Sequence, residues 1–132
     1  MEKIEALIRQ LGDEDESVSR RAVRELAAIG GEKTVALLIN ALKGPDWYVR
    51  VRAADALGTI RDKNAVSALA ESLRDESWFV VEHAAAALGE IGDSRALDPL
   101  REALKSDNAE YDPVRLEAEE AIKKIKAKAV QK

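Results

Sequence analysis

One histidine and no cysteine occur in the 132 residues, so few side chains can do chemistry. His83 stands beside Glu82 in the run "WFVVEHAAAALGEI". A lone histidine of this kind reads more readily as a surface residue than as a ligand or a proton carrier. Without cysteine there is neither a disulfide framework nor a thiolate metal site. No nucleophile–base–acid set and no phosphate-binding loop can be assembled from the remaining residues. Arg20, Arg21 and Arg24 form a basic cluster with two readings: a site for phosphate or an acidic peptide, or a solvated face paired with neighbouring acids. The chain has five aromatics, and four of them fall in two adjacent pairs, Trp47-Tyr48 and Trp78-Phe79. Aromatic side chains and arginine dominate binding hot spots, so recognition is the chemistry left to this chain, with no cofactor expected.

The elements that position these residues follow from a repeat. The two aromatic pairs are 31 residues apart, and so are Leu11, Leu42, Leu73 and Leu104. Val18, Val49 and Val80 keep the same spacing, as do Ala22, Ala53 and Ala84, then Leu26, Leu57 and Leu88, then Ile29, Ile60 and Ile91. Residues 42–72 and 73–103 share 13 identities in 31 positions, which places the repeat beyond chance. The fourth copy resumes the pattern after three extra residues.

Each copy carries two apolar stripes at helical spacing, separated by turn and capping residues such as Gly44-Pro45-Asp46 and Gly92-Asp93. The spacing predicts helices over 2–11 and 16–29, 33–43 and 46–60, 64–74 and 77–91, and 95–105 and 112–127. One such pair cannot bury its stripe alone. The expected fold is therefore all-α: an α-solenoid of four helix pairs in a single domain, with repeats at about 1–30, 31–61, 62–92 and 93–132. Aromatics at 4% require an aliphatic core.

The unit from Asp75, with "VVEHAAAALGEIGDSRALDPL", resembles the HEAT-like repeat of phycobilin lyase subunits, whose pattern is D-x-x-V-R-x-x-A-A-x-A-L-G-x-I-G-D-x-x-A-V-x-P-L. The resemblance covers essentially the whole chain. It implies that the longer helix of each pair lines an inner, concave face, that the shorter helix forms the outer face, and that the inner face meets a partner protein. The chain departs from the pattern at the arginine after the valine. Arg50 and Arg115 keep it, whereas Ser19 and Val81 replace it. A continuous arginine–aspartate ladder is therefore not expected.

The variable inner-face positions are the candidate partner-binding surface. They comprise Arg20, Arg21 and Arg24 in the first copy, Tyr48, Val51, Arg52 and Asp55 in the second, and Phe79, Glu82, His83 and Glu90 in the third. With Glu117 and Glu120 in the fourth copy, the groove runs from basic to acidic. Tyr48 and Phe79 are expected to form one exposed row, while Trp47 and Trp78 act mainly as buried wedges, because large aromatics are usually well covered.

The expected function is a non-catalytic scaffold that holds a protein or peptide on its concave face. The alternative is a subunit of a bilin lyase-like enzyme. HEAT-like hydroxylases use several His-Glu pairs for iron, and this chain has one histidine in the reverse order. A net charge of −4 argues against a dedicated nucleic-acid binder. No apolar run reaches the length of a membrane span, and the amphipathic start "MEKIEALIRQL" reads as mature structure, so a cytoplasmic protein is expected. High charge without cysteine also fits a heat-adapted prokaryotic source.

Overall fold

The computed structural model describes residues 2–131; Met1 and Lys132, the outer bounds of the expected repeats, lie outside it. Eight α-helices follow one another: α1 (Glu2–Gln10), α2 (Glu16–Ile29), α3 (Gly31–Ala41), α4 (Trp47–Ile60), α5 (Val66–Ser72), α6 (Trp78–Ile91), α7 (Leu97–Ala103) and α8 (Asp112–Val130). No strand occurs among the described residues. The fold is the expected all-α solenoid, with α2, α4, α6 and α8 stacked as an inner layer and α1, α3, α5 and α7 as an outer one.

The starts of the outer helices differ for a reason visible in the sequence. Asp62 and Asp93 each accept the backbone N–H two residues on, and a single 3-10 turn follows, at Lys63–Ala65 and Ser94–Ala96, before the α-helix begins. The equivalent position in the second copy is Gly31. There no aspartate is available, and α3 begins directly as an α-helix. The side chain of Arg95, with its backbone N–H, holds the Asp93 carboxyl down to about 2. A 3-10 turn at Asp107–Glu110 takes up the three extra residues of the fourth copy.

The inner helices approach very closely. A Cβ on Gly58 would lie 2.9 Å from Ala87 Cα, and one on Gly89 would lie 3.0 Å from Ala121 Cα. The outer helices touch far less: α1 meets α3 directly, α3 and α5 meet the next outer element through the 3-10 turn that opens it, and a groove separates the C-terminal end of α5 from α7. That difference curves the stack toward the inner helices. The core between the layers is aliphatic: Leu11, Leu26, Leu38, Leu57, Leu69, Leu88, Leu100 and Ile125 are fully covered. The Ile29 column is uneven, since Ile29 is 43% exposed whereas Ile91 is buried. The long α8 extends past α6, and Lys128 Nζ donates to the Ile91 carbonyl at 3.0 Å.

The arginine–aspartate ladder has one bidentate rung. Arg50 Nε and Nη2 donate to the two carboxylate oxygens of Asp75, at 2.9 and 3.1 Å, and Nη1 donates to the Gly44 carbonyl at 2.9 Å. Both side chains are nearly covered, at 10% and 12% exposure. Among the described residues Arg115 pairs with the local Asp112, and it is exposed.

Two predictions follow from these contacts. Gly58→Ala should lower stability, because the forced 2.9 Å contact is with backbone. Overpacking costs about 1–3 kcal/mol, against a helix-propensity gain of about 0.5–1 kcal/mol. Arg50→Ala should cost about 1.5–3 kcal/mol by removing a two-pronged charged hydrogen bond from a nearly covered carboxylate that Ser77 N–H continues to hold, while Arg115→Ala should cost less than about 1 kcal/mol. Denaturant unfolding measures all three.

Candidate partner-binding surface

All five aromatic rings join in one continuous stack along the N-terminal ends of the inner helices. From Tyr48 the contact passes to Trp47 edge-on at 5.7 Å, then to Phe79, stacked at 5.5 Å. Phe79 stacks on Trp78 at 4.0 Å, and Trp78 on Tyr111 at 5.4 Å. The sequence sets an exposed Tyr48/Phe79 row apart from buried tryptophans; the structure interleaves the two sets, because α4 and α6 each bring two adjacent aromatics to the same rim. The division of roles also changes. Trp47 is 46% exposed, Phe79 41% and Tyr111 51%, while Tyr48 and Trp78 are half-buried. Trp78 packs on the core as a wedge, but Trp47 does not.

Tyr48 is held by polar contacts instead. Arg52 Nη2 donates to its hydroxyl at 3.0 Å, and the guanidinium lies 4.9 Å from the ring centroid. Ser19 Oγ lies 3.1 Å from the same hydroxyl. Ser19 already donates to the Glu16 carbonyl, so Tyr48 is the donor in that pair.

The chain of contacts continues across the groove. Arg52 Nη1 donates to Asp55 at 3.1 Å, and Asp55 faces His83 Nδ1 at 2.6 Å. Three inner helices are thereby linked through Ser19, Tyr48, Arg52, Asp55 and His83. A second set near the C-terminal ends joins Arg61, Glu90 and Lys124 at 3.0 and 2.9 Å. Lys124, then Arg61, lowers the Glu90 pKa.

These networks revise the expected groove. Val51 is only 4% exposed and Arg52 9%, because α4 lies between α2 and α6 and over the outer helix α3, which leaves little of it uncovered. Neither is a free groove position. Asp55, Glu90 and His83 are spent on intramolecular partners, so the middle of the groove is neutralised instead of grading from basic to acidic. Arg20, Arg21 and Arg24 remain on the exposed face of α2, with Arg20 Nε on Glu16 at 2.7 Å. Glu82 is half-buried. Of the surface anticipated from sequence, Phe79 and the α2 arginines stay accessible. Trp47 and Tyr111 join them, as does Leu116, which is 57% exposed.

Among the described residues no group of three or more His, Asp or Glu is placed to hold a metal ion, and no helix is long and apolar enough to cross a membrane.

His83 yields a pH prediction. The hydrogen bond to Asp55 raises its pKa above 6.5; burial opposes the shift, the Asp55 and Glu82 charges add to it, and Arg52 works against it. A raised folded-state value stabilises the fold fully below the unfolded value, and that contribution is lost as pH rises through the folded one. Thermal stability should therefore fall as pH climbs from about 6.5 through the neutral range, and His83→Gln should flatten that slope. Thermal melts across pH read the difference.

Comparison with known proteins agrees with this architecture. The family profile for HEAT repeats matches residues 35–123, and that for the PBS lyase HEAT-like repeat matches residues 18–44. No functionally curated protein shows detectable sequence similarity. Among solved structures, human deoxyhypusine hydroxylase in complex with glycerol superposes with a TM-score of 0.76 at 26% identity, over 94% of this chain and 43% of that one. The complex of CpcE and CpcF of phycocyanin lyase from Nostoc sp. PCC7120 gives a TM-score of 0.69 at 30% identity, over 96% and 54%. An engineered protein gives 0.59 at 25% identity, over 94% and 62%. The chain thus spans less than two thirds of each neighbour's length. With the profile covering residues 35–123 of the stacked helix pairs, this chain belongs to the HEAT repeat family.

Proposed function

We propose that the chain is a non-catalytic scaffold that binds a protein or peptide partner, with the aromatic row as its principal contact. One observation carries the reading. A chain with five aromatics places all of them in one stack and leaves Trp47, Phe79 and Tyr111 about half exposed. A core that needed those rings would cover them, and exposed aromatics in contiguous patches mark interaction sites. The neutralised groove beside the row keeps its inner wall fixed in shape, so binding needs little reordering of that wall. A cytoplasmic location goes with this reading.

The second reading is a subunit of a lyase-like assembly. It draws on the PBS lyase HEAT-like match and the 30% identity to the CpcE and CpcF complex. In that case the row meets a companion subunit or a bilin.

A photo-crosslinking phenylalanine analogue at position 79 separates these readings. The scaffold reading predicts a protein adduct in source cells that is absent when the same analogue replaces Lys33 on the outer layer. Equal adducts at both positions contradict it. A bilin whose absorbance shifts on mixing with the purified protein, but not with Phe79→Ala, supports the lyase-like reading instead.

A further inference from the structure

The aromatic row lies among acidic turns. The four turns that lead from outer to inner helices, residues 13–16, 43–46, 74–77 and 105–112, contain ten acids and three bases. Their charge of −7 exceeds the −4 of the whole chain, so the rest of the molecule is net positive. Three of these acids are paired by arginines of the inner helices, Glu16 by Arg20, Asp75 by Arg50 and Asp112 by Arg115, and the rim that bears the rings stays net acidic.

The separation of the outer helices α5 and α7 adds a cavity. Between the C-terminal end of α5 and α7 a groove of about 810 Å³ opens on the outer face. Its walls carry Glu71, Glu76, Asp98, Glu102 and Asp107 against a single base, Arg74. Among the described residues Asp98 and Glu102 pair with exposed partners, Arg101 at 3.3 Å and Lys105 at 3.6 Å. Such pairs are weak and exchange readily with an incoming cation. Glu76 precedes Trp78 by two residues, and Asp107 lies in the turn that leads to Tyr111, so the chain runs directly from the groove's acids to the stacked Trp78–Tyr111 pair.

We propose that the partner presents a lysine- or arginine-rich segment, whose cations lie over the exposed ring faces and continue into the acidic groove between α5 and α7. The proposal rests on the scaffold reading and names the chemistry of its ligand. Cations are attracted to aromatic faces, and carboxylates that flank the rings add long-range steering. Of the two surfaces the chain offers a partner, the rim is the one whose charge and apolar area select for the same ligand.

Both tryptophans belong to the row, so intrinsic fluorescence reports on it. The full chain is titrated with nona-arginine, nona-glutamate and deca-proline. Nona-arginine should quench saturably, with affinity falling as salt is raised, and nona-glutamate should have no effect. Phe79→Ala, which keeps both tryptophans, and the exposed triple variant Glu71→Gln/Glu76→Gln/Glu102→Gln should each weaken nona-arginine by about tenfold, with helicity by circular dichroism unchanged. Unaltered affinity in the triple variant, or equal binding of nona-glutamate, overturns the proposal. Ring-dependent binding of deca-proline without binding of nona-arginine also overturns it, but leaves the scaffold reading intact. A concentration-dependent doubling of mass that Phe79→Ala abolishes assigns the row to a second copy of the chain and overturns it as well.

Discussion

The contact on which the structure depends is the approach of one inner helix to the next at Gly58 against Ala87 and Gly89 against Ala121. No side chain separates the backbones there. Dispersion and apolar burial along this seam hold the inner layer together, and the bulkier leucines fill the space between inner and outer layers. Because small residues lie on the inner side and large ones behind them, the stack must curve. Curvature in turn spreads the outer helices and opens the groove between α5 and α7. The concave wall, the acidic cleft and the line of rings at the rim all trace back to where glycine and alanine occur in the repeat.

The seam also fixes which polar groups meet. From α2 to α4 and from α4 to α6, helices packed this closely pair residues 28 or 29 positions apart, slightly less than the 31-residue period. Ser19 reaches Tyr48, Asp55 reaches His83, and Arg61 reaches Glu90 in this register. Each link joins consecutive copies, so the inner wall is tied laterally as well as packed. The covered Arg50–Asp75 pair does the same at the turns, at the one junction where the sequence supplies both partners.

The architecture was legible because repetition exposes it. Eight helices, their pairing and the broken arginine ladder follow from columns of Leu, Val, Ala and Ile and from the substitutions Ser19 and Val81. The candidate surface was legible only in part. Phe79 and the α2 arginines are accessible as expected, but Val51 is not, because a position's exposure depends on how many helices surround it and α4 has neighbours on three sides. The roles of the tryptophans and Tyr48 were hidden for a related reason. Spacing places Trp47 and Tyr48 on one rim, yet only the contacts of Ser19 and Arg52 with the Tyr48 hydroxyl determine which of the two turns inward. The contact register of 28 or 29 residues would have exposed that network, but it is a property of the packing distance and not of the period.

If the seam carries the fold, the rim is free to serve a partner, and its exposed rings contribute to stability chiefly through stacking on neighbouring rings, unlike Trp78, which packs on the core. The most direct test is equilibrium unfolding of Trp47→Ala beside Leu57→Ala. Loss of a half-exposed ring and its two stacks should cost about 2 kcal/mol or less, with cooperative unfolding retained. Loss of the fully covered leucine should cost about 2–5 kcal/mol. A Trp47→Ala penalty equal to or above that of Leu57→Ala would contradict the account, since it would make Trp47 a structural wedge and the aromatic row part of what holds the solenoid together.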